Sequence, residues 1–154
     1  MGMDVHGLNP VIHKEPTSEI LKEDWTKLSK DDLGKYFEVK QQHEEDNPGI
    51  YFRNNVWWWR PLWDYVWKLC EDDGIITWQQ YREGHNNSGA EINVHQAELI
   101  ALRLHHAIKM GWVEEYKKQY ETDTEDDNYE YPFHEDNVKA FAEFCKDSGG
   151  FQIC

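Results

Sequence analysis

Arg53 and Arg60 lie in the most aromatic stretch of the chain, Tyr51 to Trp67, which holds five of the eight tryptophans. Arginine is scarce here. Arg82 and Arg103 complete the set, and the other twelve cations are lysine. A guanidinium offers a planar fork of donors that matches carboxylate or phosphate, and it stacks on aromatic rings. Tyr51, Trp57 and Trp58 supply stacking faces, and the amides of Asn54 and Asn55 can read a polar edge. These are the parts of a pocket for a nucleotide-like ligand. A chain with formal net charge −14 must build a local positive site to hold such an anion, and Arg beside Trp does so in a desolvated setting. Arg82, His85 and Asn86 join the candidate set through the polar loop Gly84–Gly89, which leads into the N-terminus of a capped helix, where anions are favoured. A purely structural reading competes with this one. In it Arg60 pairs with Asp64, and Asn54 or Asn55 caps a helix.

Other chemistries have less in their favour. His95 and Glu98 stand three residues apart and could share a metal ion. His105 lies about 10 Å further along the same helix, too far for one coordination shell. A site would need His6, His13, His85 or His134, and HExxH is absent. The loop Gly84–Gly89 lacks the alternating acids of a calcium loop. Ser88 has a histidine nearby but no GxSxG elbow. No enzyme signature emerges, no cofactor is expected, and a metal-dependent hydrolase is the weakest alternative.

The elements that would hold these residues are legible in outline. Met3–His6 reads as a short strand, and Thr17–Leu28 as a short helix ending near Trp25. Ser29 opens a helix that runs to about Glu45, with Leu33, Tyr36, Phe37 and Lys40 on one face, until Asn47-Pro48-Gly49 stops it. The tryptophan segment reads as a helix starting at Val56 or Arg60 and ending near Glu71. Arg60, Asp64, Lys68 and Glu71 form its one polar stripe, so it is a central, buried helix. Ile75–Tyr81 fits a strand or a second helix. Asn93 and Gln96 form a capping box ahead of a core stripe of Val94, Ala97, Ala101, Leu104 and Ile108. Gly111 ends that helix, and Trp112–Tyr120 continues as an exposed one. Residues 135–147 form the last helix, with Val138, Phe141, Ala142 and Cys145 inward. Phe151–Cys154 is placed to pair with the N-terminal strand.

Length and aromatic content fit one domain, 1–154, mainly α with a small strand contribution (α+β). Residues 121–136 form an acidic loop of eight acids and no Lys or Arg. Asp123, Glu125, Asp126 and Asp127 are its candidate protein-interaction residues. The acidic surplus argues against direct binding of nucleic acid or of an anionic membrane. It suits a protein that docks on a basic partner, in place of nucleic acid. Cys70, Cys145 and Cys154 are odd in number and lack CxxC spacing, and Cys70 and Cys145 read as small core residues. With no leader and no long apolar run, the expectation is a cytoplasmic protein.

Four segments carry a resemblance: Met1-Gly2-Met3-Asp4, Tyr51–Trp63 (YFRNNVWWWRPLW), Gly84-His85-Asn86-Asn87 and Ser148-Gly149-Gly150-Phe151. In these the chain resembles a family of uncharacterised small bacterial and bacteriophage proteins. The resemblance implies a phage or prophage setting, hence the host cytoplasm, and brings no assigned activity. Two functions follow as expectations. One is a non-enzymatic phage protein that sequesters a small nucleotide-like ligand from host defence signalling. The other is an acidic interaction protein that inhibits a basic host protein.

Overall fold

Four short strands form one antiparallel sheet in the computed structural model, which describes residues 2–124 and 131–154. They are β1 (Gly2–Gly7), β2 (Tyr51–Asn55), β3 (Ala90–Ile92) and β4 (Phe151–Ile153), in the order β2-β1-β4-β3. Val5 pairs with Phe52 on one side and with Ile153 on the other. The pleat sends alternate residues to opposite faces. Met3, Val5, Ala90, Ile92, Phe151 and Ile153 are buried on the inner face. Asp4, His6, Tyr51, Arg53, Glu91 and Gln152 share the outer face by register.

Helices cover the inner face. α2 (Val56–Cys70) and α6 (Glu135–Asp147) pack against β1 and β2, and α4 (Val94–Lys109) packs on both helices. The result is a single domain, mainly α with a minor sheet, as the composition and periodicity suggest. α2 starts at Val56, the earlier of the two expected positions, so Pro61 lies inside the helix and is buried. Asn55 caps it by accepting from the Trp58 amide at 3.1 Å. Trp59, Leu62, Trp63, Tyr65 and Val66 are buried, while Arg60, Asp64, Lys68 and Glu71 are exposed. On α4 the expected capping box forms, and Ala97, Ala101 and Leu104 are buried. Val94 is instead 51% exposed, and Ile100 takes a core position.

Two close approaches fix how these layers meet. A Cβ on Gly84 would fall inside the Trp63 indole, and the Gly84 carbonyl accepts from Trp59 Nε1 at 2.8 Å. Between α6 and β4, Gly149 and Gly150 have φ of +68° and +91°, a region that L side chains disfavour. Cys70 and Cys145 are buried, and burial pushes their thiols up, that of Cys70 to about 12.

Some elements differ from the sequence reading. Residues 17–28 form two 3-10 turns, Glu19–Lys22 and Trp25–Lys27, in place of one α-helix. Of the alternatives for Ile75–Tyr81, the helix forms, as α3 (Trp78–Gly84), but only after Ile75 and Ile76 bury as a linker. β2 and β3 are strands that the tryptophan run and the polar loop concealed. α5 (Trp112–Thr124) is not wholly exposed, because Val113 is buried and Tyr116 packs on the core.

Candidate functional site

α1 (Lys30–Asp46) contributes one buried residue, Val39, to the body of the protein. It is anchored at its C-terminal end by Asn47, which is fully buried. Asn47 Oδ1 accepts from the amides of His13 and Lys14 at 2.7 and 3.0 Å, and Nδ2 donates to the carbonyls of His43 and Lys14 at 2.8 and 2.9 Å. A buried amide with both ends satisfied fixes the chain around it. It holds α1 beside the outer edge of the sheet, and a cavity of about 670 Å³ opens between them.

Phe37, Lys40, Gln41 and Glu44 form the helical wall of this cavity. They recur at the 3–4 spacing that puts side chains on one helix face. Asp4, His6, Ile50 and Tyr51 form the sheet wall. Strand pleat and register explain three of them, since Asp4 and His6 are two apart on β1 and His6 pairs with Tyr51. The rings of His6 and Tyr51 approach to 5.2 Å. The Tyr51 hydroxyl donates to Asp4 Oδ1, and the Arg53 guanidinium lies 3.6 Å from the same oxygen. Burial and the Asp4 carboxylate push the Tyr51 phenol up to about 12. Gly2 leaves the space that Arg53 occupies, since a Cβ there would meet the guanidinium at 2.8 Å. Glu44 is half-buried, and among the described residues no side chain bonds to its carboxylate. Burial pushes its carboxyl up, against the pull of Lys40, His6 and His43.

The predicted ligand residues therefore separate. Tyr51 lines the cavity and Arg53 borders it through Asp4. Asn54 points to the inner face and exchanges amide hydrogen bonds with Asn137 at 2.9 and 3.0 Å. With Trp58, His134 and Asp136 it borders a shallow groove of about 440 Å³. Asn55 is the helix cap. Trp57 stacks on Tyr131 at 5.3 Å, and Arg60 donates to the Tyr131 hydroxyl at 3.3 Å. Arg53 and Arg60 thus have different neighbours. Arg60 pairs with a phenol, although its charge still reaches Asp64. His85 lies 3.0 Å from Asp64 Oδ1, which also accepts from the Tyr81 hydroxyl at 2.6 Å. Burial raises the Asp64 carboxyl, but the hydrogen bonds from His85 and Tyr81, joined by the electrostatic pull of His85 and Arg60, outweigh it and lower the value. Arg82 and Asn86 are exposed near the end of α3, where the Asn86 amide donates to the Arg82 carbonyl at 3.5 Å.

Asp4, Lys40 and Glu44 escaped the sequence reading as ligand residues. Alternation in Met3-Asp4-Val5-His6 was the available signal for Asp4, and it needed β2 to acquire a partner face. Lys40 and Glu44 sit four apart on an ordinary charged helix surface.

The histidines disperse. His13 pairs with Asp147 at 2.8 Å, His105 lies 3.5 Å from Glu143, and His134 caps α6. Among the described residues no three His, Cys, Asp or Glu side chains gather closely enough to hold a metal ion. Of the acidic candidates, Asp123 is exposed near the end of α5, and Glu125, Asp126 and Asp127 lie outside the described residues. No helix among the described residues is long and apolar enough to cross a membrane.

The four segments singled out in the sequence converge on the sheet. Met3 and Asp4 lie in β1, residues 51–55 form β2 and Phe151 opens β4. In the remaining segment the Asn87 amide donates to the Gly2 carbonyl at 3.4 Å. No protein-family model, curated protein or solved structure matches this chain, so the functional reading rests on its own geometry.

Proposed function

We propose that this is a non-enzymatic binding protein that sequesters a small nucleotide-like ligand in the cavity between α1 and the outer face of the sheet. The observation that carries the reading is the composition of the two walls. Aromatic surfaces, Phe37 on one wall and the Tyr51–His6 pair on the other, share the cavity with one lysine and two carboxylates. A volume of about 670 Å³ accommodates a small molecule. Aromatic faces suit a base, Lys40 suits a phosphate, and carboxylates accept from ribose hydroxyls. Arg53 adds positive charge at the rim. Resemblance to bacteriophage proteins supports a role in the host cytoplasm, withdrawing a signalling nucleotide from host defence.

Titration calorimetry with linear and cyclic nucleotides tests this. Binding is expected for part of the panel, with at least a tenfold loss in Lys40→Ala and Tyr51→Ala variants that remain folded, because each removes a contact worth about 1.4 kcal/mol or more. A broad panel in which nothing binds refutes the reading.

One observation favours the second reading, an acidic protein that docks on a basic host protein. Asp123 is exposed in the last turn of α5, which holds no basic residue, while Glu121 in the same turn pairs with Lys117 at 3.9 Å. Acids there oppose the helix macrodipole, which favours cations at that end. Such a complex would weaken steeply with salt and would not depend on Tyr51.

A further inference from the structure

We infer that Glu44 accepts the paired N–H donors of a guanine base, so that the ligand of the α1–sheet cavity is a guanine nucleotide. This rests on the nucleotide reading above and narrows it.

The cavity has two carboxylates with different duties. Asp4 is engaged, because Tyr51 donates to its Oδ1 and Arg53 lies beside it. Glu44 also lines the cavity, yet among the described residues no hydrogen bond or ion pair is made to its carboxylate. Lys40 and His43 on α1 act on Glu44 through their charge alone, and two other neighbours are engaged elsewhere. Gln41 donates to Glu45 at 3.2 Å, and Asp46 lies 3.7 Å from Lys14. Glu44 is thus a partly desolvated acceptor with both oxygens available, on the wall that also presents Phe37. Burial destabilises its charged form, and a ligand that donates two hydrogen bonds would offset that cost.

The donor pattern selects the base. A carboxylate offers only acceptors. Guanine presents N1–H and the N2 amine side by side, so the two edges form two parallel charge-assisted bonds. Adenine presents an amine beside the N1 lone pair, which would face a carboxylate oxygen. Hypoxanthine keeps N1–H and lacks the amine, so it grades between them. Lys40 is the lysine among the residues that line the same cavity.

The test is calorimetry with GMP, IMP and AMP, and their cyclic forms, against wild type and Glu44→Gln at fixed ionic strength. Affinity is expected to fall in the order guanine, hypoxanthine, adenine. Glu44→Gln should weaken guanine nucleotides about 10- to 100-fold, the range for losing charge-assisted bonds, and bring adenine nucleotides closer to them. Glu45→Gln should leave the order unchanged. The IMP comparison needs only wild-type protein, so the assignment stays testable even if the variant is unstable. Equal binding of guanine and adenine nucleotides, or a preference that survives Glu44→Gln, overturns the assignment of Glu44 and leaves the nucleotide reading standing. Absence of binding by every nucleotide overturns both.

Discussion

Trp63 and Gly84 should behave as one energetic unit. Trp63 is fully buried, stacks on Trp59 at 5.4 Å with 14° between ring planes, and donates through Nε1 to the Tyr81 carbonyl at 2.9 Å. Truncating so large a buried ring costs about 3–5 kcal/mol, and the orphaned carbonyl adds to that. Trp63→Phe keeps a six-membered ring and loses the hydrogen bond, for a cost of about 1–3 kcal/mol. Gly84→Ala drives a Cβ into the indole. The atoms it would strike are Nε1, Cε2 and Cζ2 of Trp63, and overpacking of this kind costs about 1–3 kcal/mol or more. A phenyl ring lacks Nε1 and the far edge of the indole. Gly84→Ala should therefore cost at least about 1 kcal/mol less in the Trp63→Phe background than in wild type. Urea unfolding followed by far-ultraviolet circular dichroism measures all four corners of this double-mutant cycle. Additivity within about 0.5 kcal/mol would refute the reasoning, because independent sites add to that precision.

Glu44→Gln should stabilise the free protein at neutral pH. The folded-state carboxyl is raised above its ordinary value of 4.5. The associated stability is fully present below the unfolded value and is lost as pH rises through the folded one. The variant's melting temperature should exceed that of wild type at pH 7 and match it near pH 4, and the opposite pattern would show that Glu44 has a favourable partner. Asn47→Ala should cost about 2–4 kcal/mol, since four hydrogen bonds to the chain are lost and each is worth about 1 kcal/mol net. Amide exchange should speed up in residues 8–14 and α1 before it does in α2; a uniform change would mean that Asn47 does not anchor α1 locally.

How much of this was legible follows from what each residue reports locally. α2, α4 and α6 declare themselves, because a helix buried on a sheet repeats its apolar face every three to four residues and keeps its polar stripe narrow. The pairing of Phe151–Ile153 with β1 was also expected. β2 was hidden because Tyr51-Phe52-Arg53-Asn54-Asn55 runs directly into the cap of α2 and reads as one aromatic block with it. Once β2 is a strand, its alternation sends Tyr51 and Arg53 outward and Phe52 and Asn54 inward. That one change of period separates residues that seemed to belong to a single pocket. The partner wall was not legible at all. Lys40 and Glu44 look like any solvated helix face until long-range pairing places β1 opposite them, and such pairing leaves no local mark on α1. Conversely, Gly84 looked like a loop glycine, and its role as the seat of the Trp63 ring is visible only in three dimensions.

β1 and β4 are the two inner strands of the sheet, yet they come from residues 2–7 and 151–153. On a ribosome, β1 and β2 can meet early, as can β3 and α4. The sheet can join only when β4 has left the exit tunnel. Until then Val5 and Ile92 each face an empty edge, and the growing chain holds one two-stranded ribbon, β1 with β2, and one unpaired strand, β3. Closing so long a loop is slow. The interval before β4 emerges is therefore when this protein is most exposed to pairing with another chain, and its formal net charge of −14 works against that encounter.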